Sequence, residues 1–316
     1  MKPTVLLTGG FGNLGCRIAA EIHRSGDWNI RLATRSIRPS PLWAPAAEVV
    51  SLDLRSAAEI EIACTGVSAI IHLAALNDLE AAVDPNLAEL VSGAGTQLLV
   101  QAAARAKVDR ILFMSTAHVY GSPLTGTISE LSPTHCTHPY GTSHLSGELA
   151  VKQAHESGDL LGIRLRCANG FGFPLDPTVN IWHVLVNDLC NQVASSGSMT
   201  LRSSGLQERN FIPIADICSA FLHFLHLDVQ SIGDGLFNLG GPKSMNVLEM
   251  AKVIAERSRT VLHIDPPINR PLQTEPEILI SLDYRIDKLI ASGFVSENNF
   301  NFELDQLLEL SRRFAS

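Results

Sequence analysis

The sequence lacks any run of basic residues, and its 24 Lys and Arg are outnumbered by 32 Asp and Glu. A formal net charge of −8 argues against a nucleic-acid partner or an anionic membrane surface. No segment approaches the ~20 apolar residues of a membrane span. The opening MKPTVLLTGGFG reaches glycine too soon to form the apolar core of a signal peptide. The six cysteines form no CxxC pair and no zinc-ligand spacing with a nearby histidine, so no metal site is expected. Reduced thiols and a cytoplasmic location are the expectation. Internal repeats and low-complexity tracts are also missing. What is present is a globular composition, 46% hydrophobic and 18% charged, in a chain long enough for one large domain or two modest ones.

The first half alternates short apolar runs with amphipathic stretches. TVLLTG, NIRLAT, EVVSLDL, SAIIHLAA, RILFMST and LLGIRLRCAN read as strands. LGCRIAAEIHRSG and the long stretch NLAELVSGAGTQLLVQAAARAKV read as helices. Strands that alternate with helices, and that are apolar without interruption, predict a parallel sheet covered on both faces. The fold expected is α/β, a Rossmann-type doubly wound parallel sheet with a smaller C-terminal α/β substrate region. The expected division is 1–168 for dinucleotide binding and 169–316 for substrate, with the segment near 211–229 packing back onto the first part. In the second part LFNLGG and VLHID read as short strands.

TGGFGNLG follows the first strand and opens the first helix, the setting a phosphate-cradling loop requires. Glycine allows the tight turn and the close approach of backbone to pyrophosphate, while the helix N-terminus supplies N–H donors. Gly9, Phe11, Gly12, Asn13, Leu14 and Gly15 are therefore cofactor candidates. At the end of the second strand an acid would accept the ribose hydroxyls of NAD. Here Thr34 and Arg35 stand instead, and a cation there suits the 2′-phosphate of NADP. NADP is preferred over NAD on that ground. Asp53, followed by Leu54, is either an acceptor for the adenine amino group or a cap for the helix near Ser56.

HPYGTSHLSGE places Tyr140, His144 and Glu148 at intervals of four, on one face of a helix.

These motifs together resemble the extended short-chain dehydrogenase/reductase family, which includes the NAD-dependent epimerases and dehydratases of nucleotide sugars. Gly9, Gly12 and Gly15 match its GxxGxxG loop. HLAA, with Leu73, Ala74 and Ala75, resembles its fourth-strand end, and STAHVYG its fifth-strand motif. HPYGTSHLSGE resembles its Tyr-x-x-x-Lys helix, RCANGFG its next-strand motif, and QERNFIPIADICSA its phosphate-arginine segment. The resemblance implies that Tyr140 is the catalytic acid/base and that Thr116 hydrogen-bonds the reacting oxygen. It implies that Asn169 lies near cofactor and substrate and that Arg209 faces a diphosphate. It also implies a homodimer built on the helices at 86–107 and Tyr140, with a nucleotide sugar or another small carbonyl compound as substrate.

Three departures qualify this. His144 replaces the family lysine, as a residue that contacts cofactor and affects catalysis. Ala117 and His118 replace the acid pair of the dehydratases, which argues against a sugar dehydratase. Ser92 replaces an asparagine that supports a helix irregularity. A tyrosine titrates near ~10 and needs a neighbouring cation to act as base near neutrality. An imidazole, with its pKa near ~6.5, is mostly neutral there. A protonated Tyr140 suits carbonyl reduction, so a reductase is favoured over an epimerase that must first oxidise. A reductase of a small non-nucleotide carbonyl and a nucleotide-binding regulatory protein without turnover are the alternatives. Glu148, His118, His135 and His138 are expected to make helix-surface or loop contacts.

Overall fold

The computed structural model describes residues 2–176, 178–271 and 279–315. The first part of the chain runs β1 (Thr4–Thr8), α1 (Asn13–Ser25), β2 (Asn29–Thr34), β3 (Glu48–Ser51), α2 (Ala57–Cys64) and β4 (Ala69–His72). It continues through α3 (Asp78–Val83), α4 (Pro85–Ala88), a π-helical segment (Glu89–Ala94), α5 (Gly95–Arg105) and β5 (Arg110–Thr116). A 3₁₀ turn (Ala117–Tyr120), β6 (Gly126–Ile128), α6 (Pro139–Ser157) and β7 (Leu161–Cys167) follow. The rest comprises β8 (Asn169–Phe171), α7 (Leu185–Ser196), β9 (Met199–Thr200), β10 (Glu208–Pro213), α8 (Ile214–His226) and β11 (Leu236–Leu239). The chain closes with β12 (Ser244–Asn246), α9 (Val247–Val261), β13 (Ile268–Asn269), β14 (Leu282–Tyr284), α10 (Asp287–Ala291) and α11 (Phe300–Ala315).

Seven parallel strands form the central sheet in the order β11-β7-β5-β4-β1-β2-β3. This is the doubly wound α/β fold that the uninterrupted apolar runs imply. Winding reverses between β1 and β4, and ligands in such sheets bind outside the carboxyl ends of the strands at that point. One apolar layer holds Ile18, Ile22, Ile217 and Phe221 against Leu7, Leu32 and Ile71. The opposite layer packs Ile60, Leu99 and Val151 on Leu6, Ile70 and Ile111. A separate core between α7, α9 and α11 contains Leu189, Ile254 and Leu307. The chain returns late to the first layer, because α8 packs on α1 and β11 pairs with β7.

Two expected elements differ. The long helix at 86–107 is interrupted, because Glu89–Ala94 is wound as a π segment. VLHID is not a strand: α9 runs through Val261, and the short strand begins only at Ile268. The apolar positions Ile254, Val261 and Leu262 continue the buried stripe of the helix instead.

Candidate active site

The glycine loop is shaped by steric need. Gly9 has φ +68°, and a Cβ there would lie 3.0 Å from the Ala74 nitrogen. A Cβ on Gly15 would lie 2.2 Å from the Gly9 carbonyl oxygen, so the turn closes only on glycine. Gly12 precedes α1 with extended backbone, and no side chain caps the helix. The first N–H groups of α1 therefore stay available, and the buried Asn13 Oδ1 has no hydrogen-bond partner. The chemistry of this cradle fits a dinucleotide pyrophosphate. The loop opens into a cleft of about 710 Å³. Gly9, Phe11 and Gly12 form one wall, Leu73, Ala74 and Ala75 another. Thr34, Arg35, Asp53 and Leu54 line its far end. Leu14 packs into the core rather than into the cleft, and Gly15 lies beneath the loop.

At that far end Arg35 is exposed. Asp53 is gripped by the Arg55 guanidinium through three carboxylate contacts, at 2.9, 3.1 and 2.6 Å. Those hydrogen bonds hold the Asp53 carboxyl down at about 2. Asp53 does not cap the next helix: Ser56 Oγ does, accepting from the Glu59 nitrogen. The Asp-x-Arg spacing of Asp53 and Arg55 is the signal in the sequence for this pairing.

Tyr140 is the second residue of α6, after Pro139 at the first helical position. Its backbone N–H is capped by His138 Nδ1 at 3.2 Å. The Thr116 hydroxyl, at the end of β5, faces the phenol. Burial pushes the phenol up to about 12, with Thr116 pulling against it. The Tyr140 and His144 rings lie 4.3 Å apart. His144 Nδ1 is 2.8 Å from the Tyr140 carbonyl oxygen. A carbonyl only accepts, so Nδ1 carries the proton and Nε2 keeps the lone pair in the neutral ring. Burial depresses the His144 pKa to about 4. The His144 ring is thus uncharged at neutral pH.

Glu148 is not a surface residue. It is 2% exposed, pairs with Arg166 at 2.6 Å, and accepts from the Ser115 hydroxyl. Arg166 also lies over the Tyr120 ring, whose hydroxyl donates to Asn238 Oδ1. The clue was an arginine inside the apolar strand GIRLRC, since a cation on a doubly covered strand must be paired.

Behind the cleft runs a second buried chain. The Thr96 hydroxyl is 2.6 Å from the Ser92 carbonyl and 2.9 Å from His72 Nε2. Its single hydrogen goes to the carbonyl, so His72 Nε2–H donates to it. His72 Nδ1 then accepts from the Thr8 hydroxyl at 2.6 Å. Thr8 in turn accepts from the Leu73 and Ala74 nitrogens. Ser92 Oγ accepts from the Leu76 nitrogen inside the π segment, so the implied helix irregularity is present with serine.

Asn169 Nδ2 donates to the Asn210 carbonyl at 2.9 Å, tying β8 to β10. Arg209, on β10, is half-buried, and among the described residues no carboxylate pairs with it. Burial lowers its pKa, as it must for a cation held away from water without a counter-ion. A smaller cavity of about 190 Å³ adjoins Tyr140 and is lined by Asp78, His118, Cys136 and His138. His135 lies on the nearby loop and is exposed. Among the described residues, no cluster of His, Cys, Asp or Glu could hold a metal, and no helix is long and apolar enough to cross a membrane.

A sequence profile of the NAD dependent epimerase/dehydratase family matches residues 5–240. The chain is 27% identical over 278 residues to UDP-glucose 4-epimerase of Bacillus subtilis, covering 80% of this chain and 82% of that protein. It is 29% identical over 162 residues to dTDP-D-glucose 4,6-dehydratase of Mus musculus, covering 51% of this chain and 43% of that one. Among solved structures, a UDP-N-acetylglucosamine 4-epimerase from Methanobrevibacter ruminantium superposes with TM-score 0.79 at 23% identity, over 98% of both chains. A Thermus thermophilus UDP-glucose 4-epimerase in complex with NAD gives TM-score 0.80 at 22% identity, over 98% of this chain and 99% of that one. These superpositions extend the seven-stranded fold to nearly the whole chain. The match over residues 5–240 goes further: the chain belongs to the NAD dependent epimerase/dehydratase family, an extended short-chain dehydrogenase/reductase.

Proposed function

We propose that this enzyme moves a hydride between nicotinamide and a carbonyl carbon of a nucleotide-linked sugar, with reduction as the favoured direction. Sugar dehydration is disfavoured, because Ala117 and His118 stand where an acid pair would act. The observation that carries the direction is the His144 ring, neutral and bonded through Nδ1 to the Tyr140 carbonyl. With no cation beside it, Tyr140 keeps its proton at neutral pH and serves as an acid. A nicotinamide, when bound, would supply the hydride. Tyr140 delivers a proton to the substrate oxygen, and Thr116 donates a hydrogen bond to the same atom. Arg209, without a carboxylate partner, supports a site for the substrate diphosphate. Asn169 holds the β8–β10 edge on which Arg209 sits.

NAD is the cofactor of the family; a preference for NADP rests on Arg35, exposed at the cleft end with no acid at its own strand end. Residues 1–168, with 211–229 packed back, would hold cofactor, and the remainder substrate. Exposed Leu90 and Leu149, on the π segment and α6, support a homodimer through those helices. Purified protein with NADPH or NADH and a panel of UDP- and dTDP-linked keto-sugars tests the reading. Reduction should outrun oxidation of the matching alcohol at pH near ~7, and equal rates both ways would sink it. Arg209→Ala should act mainly by raising KM, with kcat little changed.

A further inference from the structure

The connection between β2 and β3, residues 35–47, folds back onto the glycine loop. Its later half is fixed. Ala44 and Ala47 are buried in the first apolar layer, and Trp43 packs against the same layer. Ser40 Oγ donates to the Ala47 carbonyl at 2.7 Å, and the Ala44 nitrogen closes a turn on the Pro41 carbonyl at 3.0 Å. Pro39, Pro41 and Pro45 restrict the backbone further. The earlier half is exposed, with Ile37 at 68%. Both halves meet at Phe11, which forms part of one wall of the main cleft. The Trp43 ring lies 5.9 Å from the Phe11 ring with the planes at 65°, and the Arg38 guanidinium sits over Phe11 at 4.7 Å from its centroid. Arg38 also faces Asp176, whose carboxyl is held below its ordinary range by Thr178 hydrogen bonds and, beyond those, by the Arg38 charge. Asp176 belongs to the crossing that Arg17 anchors at the Phe173 carbonyl. Among the described residues, Arg38 and Asp176 stop short of an ion pair.

We propose that this connection is a strap over the dinucleotide cleft and that Arg38 is its positioning residue, holding Phe11 in the cleft wall and slowing release of the cofactor. The inference rests on the dinucleotide cleft of the family and is independent of the substrate and direction proposed above. The loop around Phe11 is rich in glycine, whose backbone restrains little, so the ring draws its position from outside the loop. Arg38 covers it by cation–π attraction, and Trp43 meets it as an edge-on aromatic contact. The Trp43 side is locked to the core, so the movable part is the exposed stretch that carries Arg38. Swinging that stretch away uncovers Phe11 and loosens the wall. The Asp176 carboxylate favours the opposite position, with Arg38 drawn across the ring.

The full chain is loaded with NADH or NADPH, and excess NAD or NADP displaces it in a stopped-flow mixer while the nicotinamide emission is followed. No sugar is present, so the outcome does not depend on the reductase reading. Arg38→Ala should speed release about two- to fivefold and leave the association rate unchanged. Arg38→Lys, which keeps a cation over the ring, should restore slow release. In a Phe11→Ala background the Arg38→Ala change should have no further effect, because Arg38 acts through that ring. The acceleration should persist in about 0.5 M NaCl, where long-range attraction of phosphates is screened. Release unchanged in Arg38→Ala overturns the proposal, as does failure of the chain to bind either nucleotide. An effect confined to the association rate, lost in salt, or undiminished in the Phe11→Ala background overturns it as well, and would make Arg38 a plain attractor of phosphate.

Discussion

Tyr140 stands without a positive neighbour, because burial holds His144 neutral and its Nδ1–H is occupied by the Tyr140 carbonyl. Replacing that ring with an ammonium restores the charge that favours tyrosinate. His144→Lys should move the pH profile of alcohol oxidation toward neutrality and raise the rate at pH ~7.5 by about tenfold or more. Steady-state oxidation across pH checks this, and an unmoved profile counts against the assigned role. The same burial has a consequence for stability. His72 and His144 titrate at about 3 and about 4 in the folded chain, against 6.5 when free. Below pH 6.5 the unfolded chain therefore binds more protons, so stability falls as pH drops through this window and is regained above it. Urea midpoints should decline from about pH 7 to about pH 4, and less steeply in His144→Gln. At this scale the sequence showed the residues and their spacing of four. It did not show the protonation state, which depends on burial that neighbours distant in sequence provide.

Helix α6 carries Tyr140, the proposed acid, at one end and a buried ion pair two turns further on. Glu148 grips Arg166 of β7 and Ser115 of β5, so the helix is fixed to both neighbouring strands. Glu148→Ala leaves Arg166 buried without a partner and should cost about 3–5 kcal/mol. Chemical denaturation measures it. A cost below about 1 kcal/mol would mean that water relieves the arginine. Parallel strands were legible as elements because burial on both faces leaves an uninterrupted apolar signature. The Glu148 pairing was not, since a carboxylate on a helix reads as solvated until its partner strand is known. The π segment was signalled only by the resemblance at Ser92, and its extent was not legible. Its register is set by Leu76 and Thr96 bonding to Ser92, which composition does not reveal.

At the scale of the molecule, the C-terminal helix is tied to the first one. Glu303 on α11 binds Arg17 on α1 at 2.5 Å and accepts from the Phe173 and Ala215 nitrogens. Arg17 in turn donates to the Phe173 carbonyl and lies over its ring. Glu303→Gln keeps the shape but removes the charge, and should lower the thermal midpoint while loosening the chain after β8. Hydrogen exchange at Phe173 and Ala215 reads the second effect, which should exceed exchange elsewhere in α8. The late return of β11 to the sheet was not legible, because a short strand carries no mark of which neighbour it will pair with. The buried chain from Leu73 through Thr8, His72 and Thr96 to Ser92 has one more implication. It starts at amide donors and ends at a carbonyl, groups whose polarity is fixed, so only one arrangement of its hydrogens satisfies every member. The row therefore acts like a keyed connector: it joins the end of β1 beside the glycine loop to the irregular helix in a single sense, and no member can turn round alone.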